Sequence, residues 1–409
     1  MTKRNDTPKP HEVFTPGVPP LGKNNIYVNR ASAEQKLRRL TQRRHIPVIW
    51  GDYGVGKTSL VKRFFAPQNE AGREIYFGST AGIELSDIFR EILQHLNYTV
   101  ETTKVTTNET SRSLGVSLRA AKASDSRKTG TATTHELVVS SPTDNSISKL
   151  ASDAGLVIIL DEMHRASDSL RASLADWIKS TRAANSDFAL AIVGTTADVQ
   201  SLVSFDQGIN RHVKELHVEP MTDPEARKVV TEGFSKLKMT LPPAVRETLV
   251  SAAGGAPSVI QAFCLDAAEA AIEAGRQSLL TDDLRYAVDR YLEENEDRLL
   301  QKYMAAIETT GSKRLRTRVL HAVADSTHNI VTMEDIAEGV SKALGEPTPS
   351  TSLSGPLRAL KSDDYGKILR DVTRSSSDNR VHNLSAFSDP IMKSFVKLMH
   401  NLEQNNLAP

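Results

Sequence analysis

The 409-residue sequence has a single cysteine, Cys264. One thiol closes no internal disulfide and fits no Cys/His zinc spacing. Cys264 could be a nucleophile or a small buried residue, and the helical apolar spacing of "IQAFCLDAAEAA" favours the second. Aromatic residues are only 5% of the chain, too few for a surface that stacks single-stranded bases. No apolar run reaches the roughly 20 residues that a membrane span needs. The opening "MTKRNDTPKPHEVFTPGVPP" is charged and proline-rich, without an apolar signal segment, so a cytoplasmic location and no membrane partner are expected. The net charge is +1. The molecule is therefore no polycation, and any nucleic-acid contact must come from a local patch. No internal repeat is visible.

The length leads one to expect two or three domains. Residues 1–24 read as a tail. Over 25–220, short apolar runs alternate with helical patterns. "IPVIW" (46–50), "EIYFG" (74–78), "GLVIIL" (155–160) and "FALAIVG" (188–194) read as strands. "TSLVKRFF" (58–65), "LSDIFREILQHLN" (85–97) and "SLRASLADWIKS" read as helices. Such alternation implies an α/β fold with a parallel sheet covered on both faces. An insertion over about 99–153, rich in Ser and Thr, reads as a mobile excursion from it. Residues 221–305 are helical throughout, with "TDDLRYAVDRYLEENEDRLLQKYMAAI" as one long helix. Residues 306–409 show three helices and then a hairpin with a polar tip, which is the order of a winged helix.

The chemistry concentrates in "GDYGVGKTSL". Gly51 to Thr58 fits G-x-x-x-x-G-K-[ST], after a strand and before a helix, the context that gives this motif its meaning. Glycines let backbone N–H groups close around phosphate oxygens, and the helix N-terminus adds partial positive charge. The candidate phosphate contacts are Asp52, Tyr53, Gly54, Val55, Gly56, Lys57, Thr58 and Ser59. Lys57 would reach the β- and γ-phosphates, and the Thr58 hydroxyl would hold Mg²⁺. No guanine-reading box is present, so the expected cofactors are ATP and Mg²⁺.

Asp161 and Glu162 end the run "GLVIIL". Carboxylates at the carboxyl end of a buried parallel strand lie where open α/β sheets bind ligands. Asp161 would hold Mg²⁺ through its waters, and Glu162 would act as general base on the attacking water. Thr195, in "IVGTT", could bond the lytic water or the γ-phosphate, or simply cap an element. Arg211, in "FDQGINRHVKEL", is either a finger for a neighbouring subunit's nucleotide or a surface arginine.

Taken in order, the phosphate loop, "LVIILDE", "AIVGTT", helical segment and winged helix resemble the AAA+ and STAND ATPases over roughly residues 25–400. Origin-recognition-like AAA proteins and archaeal-type STAND ATPases are the nearest groups. The resemblance implies a P-loop NTPase core, a helical lid over 221–305 and a winged-helix domain over 306–409. "YVNRASAEQKL" resembles the family's opening box, with Asn29 where glycine is usual. Tyr27, Val28 and Arg30 become candidate base-side contacts by that resemblance. Origin-type ATPases show an arginine after a glycine at the start of the last lid helix, which is absent here. "GGAPSVIQ" instead resembles the G-x-P signature of STAND proteins, whose proline, here Pro257, sits against the nucleotide. "DEMHR" is also similar to ATPase subunits that guide transposases, which draws attention to His164.

By resemblance the chain is an ATP-hydrolysing molecular switch that couples Mg-ATP to homo-oligomerisation or to control of a protein partner supplying the effector. The alternative is an ATPase that loads or selects double-stranded DNA through the winged helix. Its cations are Lys313, Arg314, Arg316 and Arg318 at the domain entrance, Arg358 and Lys361 on the third helix, and Arg374 and Arg380 on the wing. A scaffold that binds nucleotide only structurally is a third reading, against which the intact acid pair speaks.

Overall fold

The computed structural model describes residues 7–28, 30–96, 144–183, 188–194, 207–295, 297–308, 314–326, 330–372 and 384–408. They fall into two units. One comprises Arg30–Trp50 and Leu60–His217; the other comprises Met1–Asn29, Gly51–Ser59 and Val218–Pro409.

The first unit is built on a five-stranded sheet. Strands β1 (Ile46–Trp50), β2 (Glu74–Gly78), β3 (Val157–Asp161), β4 (Ala189–Gly194) and β5 (Val213–His217) lie in the order β2-β3-β4-β1-β5. Every pairing is parallel. β3 is buried along its whole length, as a nearly continuous apolar run covered on both faces should be. The register sets Trp50 beside Gly194 and His217, and Asp161 beside Gly78. The carboxyl ends of these strands therefore share one edge of the sheet. β5 was not expected as a strand. Its alternating "VKELH" occupies the sheet edge and buries only Val213 and Leu216.

Helix Asp144–Asp153 corrects the expected excursion: the last ten residues of the segment assigned to it are an ordered helix of the sheet unit. Ile147 and Ser148 are fully buried. Ser148 Oγ accepts a hydrogen bond from Trp177 Nε1 at 2.9 Å and lies 2.8 Å from the Thr181 hydroxyl. Trp177 also stacks on Phe188 and meets Phe89 edge-on. A helix with so few large apolar residues is held by one buried isoleucine and a satisfied polar triplet. The rest of the expected excursion, 99–143, lies outside the described residues.

The second unit is helical. Asp223–Lys236 starts at a capping box, in which the Thr222 N–H donates to Glu225 Oε2 at 2.9 Å. Pro243–Ala252, Pro257–Glu273 and Thr281–Asn295 follow. The run expected as one long helix is described as Thr281–Asn295 and Asp297–Ile307, with Glu296 outside the described residues. Helices Leu315–Asp325, Met333–Leu344 and Ser350–Leu360 then lead to an antiparallel pair, β6 (Leu369–Val372) and β7 (Leu384–Phe387). A bridge between Val331 and Ser385 adds a third extended segment. This is a winged helix, closed by a last helix, Pro390–Gln404. The tail contributes to the same core: Val13 and Phe14 are fully buried, and the Phe14 ring lies 5.4 Å from that of Phe234.

Candidate functional site

In the helical unit, the phosphate motif is a loop that only glycine allows at several points. Gly54 and Gly56 have φ of +78° and +89°, a region that L side chains rarely enter. A Cβ on Gly51 would strike the Val218 carbonyl oxygen. Lys57 Nζ donates to the carbonyls of Gly51 and Asp52, each at 3.0 Å. The lysine thus folds back over its own loop. Val55 is buried, Tyr53 is exposed, and Gly56, Thr58 and Ser59 are partly exposed.

The G-x-P segment adjoins this loop. Gly255 has φ +74°, and its carbonyl accepts from the Met221 N–H at 2.7 Å. Pro257 opens the helix Pro257–Glu273, a position where its missing N–H costs nothing. Its Cγ lies 3.5 Å from the point where a Gly56 Cβ would stand. Ser258 Oγ donates to the Gly54 carbonyl at 3.3 Å. The structure thus brings Pro257 together with the phosphate loop. Cys264, on the same helix, is completely buried, and burial pushes its thiol up, away from nucleophilic use.

The tail of this unit carries Tyr27 and Val28. Val28 is buried in the helical core and Tyr27 is partly exposed. Asn29 lies outside the described residues. Arg30, which belongs to the sheet unit, is buried just before helix Ala31–Gln42.

In the sheet unit, Asp161 is 2% exposed. Its Oδ2 accepts from the Tyr76 hydroxyl at 2.8 Å and its Oδ1 from the Glu162 N–H at 2.7 Å. Burial, and then the Asp161 carboxylate, push the Tyr76 hydroxyl well above the usual tyrosine value. Lys62 Nζ sits 3.8 Å from the Tyr76 ring centroid. Glu162 has φ +58°, uncommon for a residue with a side chain. That turn carries the chain out of β3 into the short turn Met163–Arg165. Glu162 Oε2 lies 3.3 Å from His164 Nε2, both side chains being part-exposed. Trp50, the last residue of β1, stacks on His217 with ring centroids 4.0 Å apart. The ring pair braces the strand end from which Gly51 departs.

Arg211 ends the turn Gln207–Arg211 and is exposed. It stands at the amino edge of β5, the opposite edge from Trp50 and Asp161. A five-residue strand spans about 16 Å, so Arg211 lies far from its own chain's acid pair. Thr195 lies outside the described residues, as do Lys313, Arg374 and Arg380. Three of the remaining winged-helix cations have structural partners. The Arg316 guanidinium covers the Tyr365 ring at 3.9 Å and donates to the Ala306 carbonyl. Arg318 donates to the Ala343 carbonyl, and Lys361 pairs with Asp371 at 2.5 Å. Arg358 is exposed.

These residues suit a nucleotide and its metal ion. Gly54 and Gly56 both hold positive φ, and a Cβ on Gly54 would strike Ser258 Oγ, so the loop keeps bare backbone there. The Thr58 hydroxyl and the Asp161 carboxylate are hard oxygen donors, the type that Mg²⁺ takes alongside substrate phosphates. Among the described residues no cluster of three or more His, Cys, Asp or Glu could form a cage for a metal.

Sequence reasoning missed three residues. Tyr76 was masked by the ordinary composition of a strand. Lys393 and Lys397 contact Asp52 from the helix Pro390–Gln404, and nothing in the phosphate motif points to a partner so distant in sequence.

Comparison with known proteins gives a family. Residues 27–263 match the family described as "ATPase domain predominantly from Archaea". No curated protein matches the sequence. Among solved structures, the chain is similar to Cdc6p from Pyrobaculum aerophilum at 15% identity and a TM-score of 0.51, covering 97% of this chain and 98% of that one. It is also similar to the ADP form of the ORC2 protein from Aeropyrum pernix, at 15% identity and a TM-score of 0.50, covering 94% and 96%. At such identities the likeness is one of fold.

Proposed function

Because the chain belongs to the family of ATPase domains found predominantly in Archaea, we propose that it is an ATP-hydrolysing molecular switch, in which Mg-ATP controls self-association or the release of a partner-binding surface. The observation that carries this reading is the phosphate loop itself, with Gly54 and Gly56 at positive φ and Lys57 folded back onto the Gly51 and Asp52 carbonyls. β1 leads straight into the glycine loop, and β3 ends on a buried aspartate and a glutamate. The ORC2 relative, solved in an ADP form, fits a nucleotide ligand.

In this proposal, backbone N–H groups of Gly54 to Thr58 and the Lys57 ammonium bind the phosphates. Thr58 and Asp161 would hold Mg²⁺, which when bound would supply positive charge for the phosphate oxygens. Glu162 orients a water and takes its proton as the water oxygen bonds to the γ-phosphorus, whose bond to the β–γ bridging oxygen breaks so that ADP and inorganic phosphate result. The His164 contact at 3.3 Å holds the glutamate in place. Pro257 lies over the loop and links nucleotide state to the lid. Thr195 bonds the γ-phosphate, Tyr27, Val28 and Arg30 lie on the base side, and Arg211 acts on a neighbouring subunit's nucleotide.

The test is phosphate release by wild type and Glu162→Gln, followed by light scattering of the variant with ATP, with ADP, and with ATP plus duplex DNA. At least a hundredfold loss of turnover with retained ATP binding is expected, together with assembly that needs ATP alone. Equal turnover in both proteins would sink the enzyme reading. Assembly only when DNA is present would favour a DNA-loading ATPase.

A further inference from the structure

The phosphate loop is held by residues from far along the chain. Asp52, the first variable position of the motif, points its carboxylate at the helix Pro390–Gln404. Lys397 Nζ lies 2.7 Å from its Oδ2 and Lys393 Nζ 3.7 Å from its Oδ1. The side chains are 20% exposed for Asp52, 27% for Lys397 and 7% for Lys393. Ser394 Oγ donates to the Tyr53 carbonyl at 3.4 Å. One turn further along, Asn401 crowds Gly254 so closely that a Cβ there would strike its Nδ2. Asn405 Nδ2 donates to Ser251 Oγ at 3.0 Å. Positions 393, 397 and 401 recur every four residues and so lie along one face of the helix, and Asn405 directly follows its last turn. That whole face is given to the loop and the neighbouring lid turn.

A carboxylate in this place works against the loop's task. It is a largely buried negative charge on a segment that must accept a polyanion, and it is near enough to act on Lys57. Burial alone would raise the Asp52 carboxyl, yet Lys397 and Lys393 hold it below the usual aspartate range. The charge therefore persists and the two ammonium groups offset it.

We propose that Lys393 and Lys397 are positioning residues of the nucleotide site. They neutralise Asp52 so that the loop accepts phosphate, and nucleotide occupancy is thereby linked to docking of the helix Pro390–Gln404. The inference rests on the reading of the loop as a nucleotide site. Linkage is reciprocal: whatever strengthens helix docking tightens nucleotide, and nucleotide strengthens docking.

The experiment is calorimetric titration of the full-length protein with ADP and ATP, using Lys397→Gln, Asp52→Asn and the double variant. Lys397 is the partly exposed member of the pair, so its glutamine variant should fold. Lys397→Gln is expected to weaken nucleotide about tenfold, in the usual range of coupling. Asp52→Asn should tighten it about threefold, since it removes the repulsion and leaves both lysines, and the double variant should regain wild-type affinity within about threefold. A purely structural ion pair has another signature: both single variants weaken nucleotide alike and the double is no better. That result would overturn the proposal. As a second readout, nucleotide should slow amide exchange in Pro390–Gln404 in wild type and do so less in Lys397→Gln; equal slowing in both would also count against it. A wild-type protein that binds neither nucleotide would overturn the proposed function itself, and this inference with it.

Discussion

Tyr76 and Asp161 are joined across adjacent strands by a 2.8 Å hydrogen bond that orients the most deeply buried carboxylate of the sheet edge. Loss of such an outer partner typically weakens a metal site by about ten- to a hundredfold. Tyr76→Phe should therefore raise the Mg²⁺ concentration needed for half-maximal turnover about tenfold. ATP binding in the presence of EDTA should not change. A magnesium titration of ATP hydrolysis, beside calorimetry without metal, separates the two.

Glu162 occupies a left-handed conformation, φ +58°, which costs a residue with a Cβ about 1–2 kcal/mol. Glycine tolerates it, although it loses more chain entropy on folding. Glu162→Gly should thus be more stable than wild type by about 0.5–1 kcal/mol and have no hydrolytic activity. Urea unfolding beside a phosphate-release assay checks both halves. A stability at or below wild type would show that the turn is not strained.

His321 gives the helical unit a pH dependence. Burial, and then its neighbour His400, push it down to about 4. The Tyr303 hydroxyl donates to Glu403 at 2.8 Å, so its oxygen accepts from His321 Nε2–H at 2.9 Å, while burial favours the neutral ring. The other charged groups facing the pair are Asp325 and Arg318, from the same helix as His321. An unfolded chain takes up this proton near pH 6.5, before the folded one does. Stability is therefore lost as pH falls from about 6.5 towards 4, by up to about 3 kcal/mol. His400, raised chiefly by its hydrogen bond with Asp325, acts with the opposite sign and reduces the slope. His321→Gln should flatten the dependence of the urea midpoint over this window. An unchanged slope would place the acid sensitivity elsewhere.

Phe14 tests whether the tail is part of the fold. Its ring is fully buried and presses on Gly233, where any Cβ would strike it. Phe14→Ala should cost about 3–5 kcal/mol. Gly233→Ala should cost about 1–3 kcal/mol by overpacking and should speed proteolysis within residues 7–28. A tail that merely lies on the surface would show neither effect.

How far these features could be read from sequence depended on the range of the interaction. β1, β3 and β4 were legible because a buried parallel strand is a local apolar run, β2 because its "EIYFG" clusters β-branched and aromatic residues although it lies at a sheet edge, and Gly51 to Thr58 because the phosphate motif is local too. β5 was missed because Lys214, Glu215 and His217 interrupt the apolar run of "VKELH", which buries only Val213 and Leu216. Helix Asp144–Asp153 was hidden because its docking depends on Ser148 meeting Trp177 and Thr181, a match that leaves no trace in apolar spacing. The hydrogen bond of Tyr76 to Asp161 needs the strand order. The contact of Lys397 with Asp52 needs the tertiary fold.

The Asp52–Lys397 ion pair spans 345 residues, which gives it a place in the history of each molecule. At about 5–20 residues per second of synthesis, the phosphate loop leaves the ribosome roughly 20–70 s before the lysines that neutralise it. Through that interval Asp52 is uncompensated, and a nascent loop would hold nucleotide more weakly than the finished protein. The first ligand would thus be loaded after translation of Pro390–Gln404, so truncated chains released early would stay unloaded.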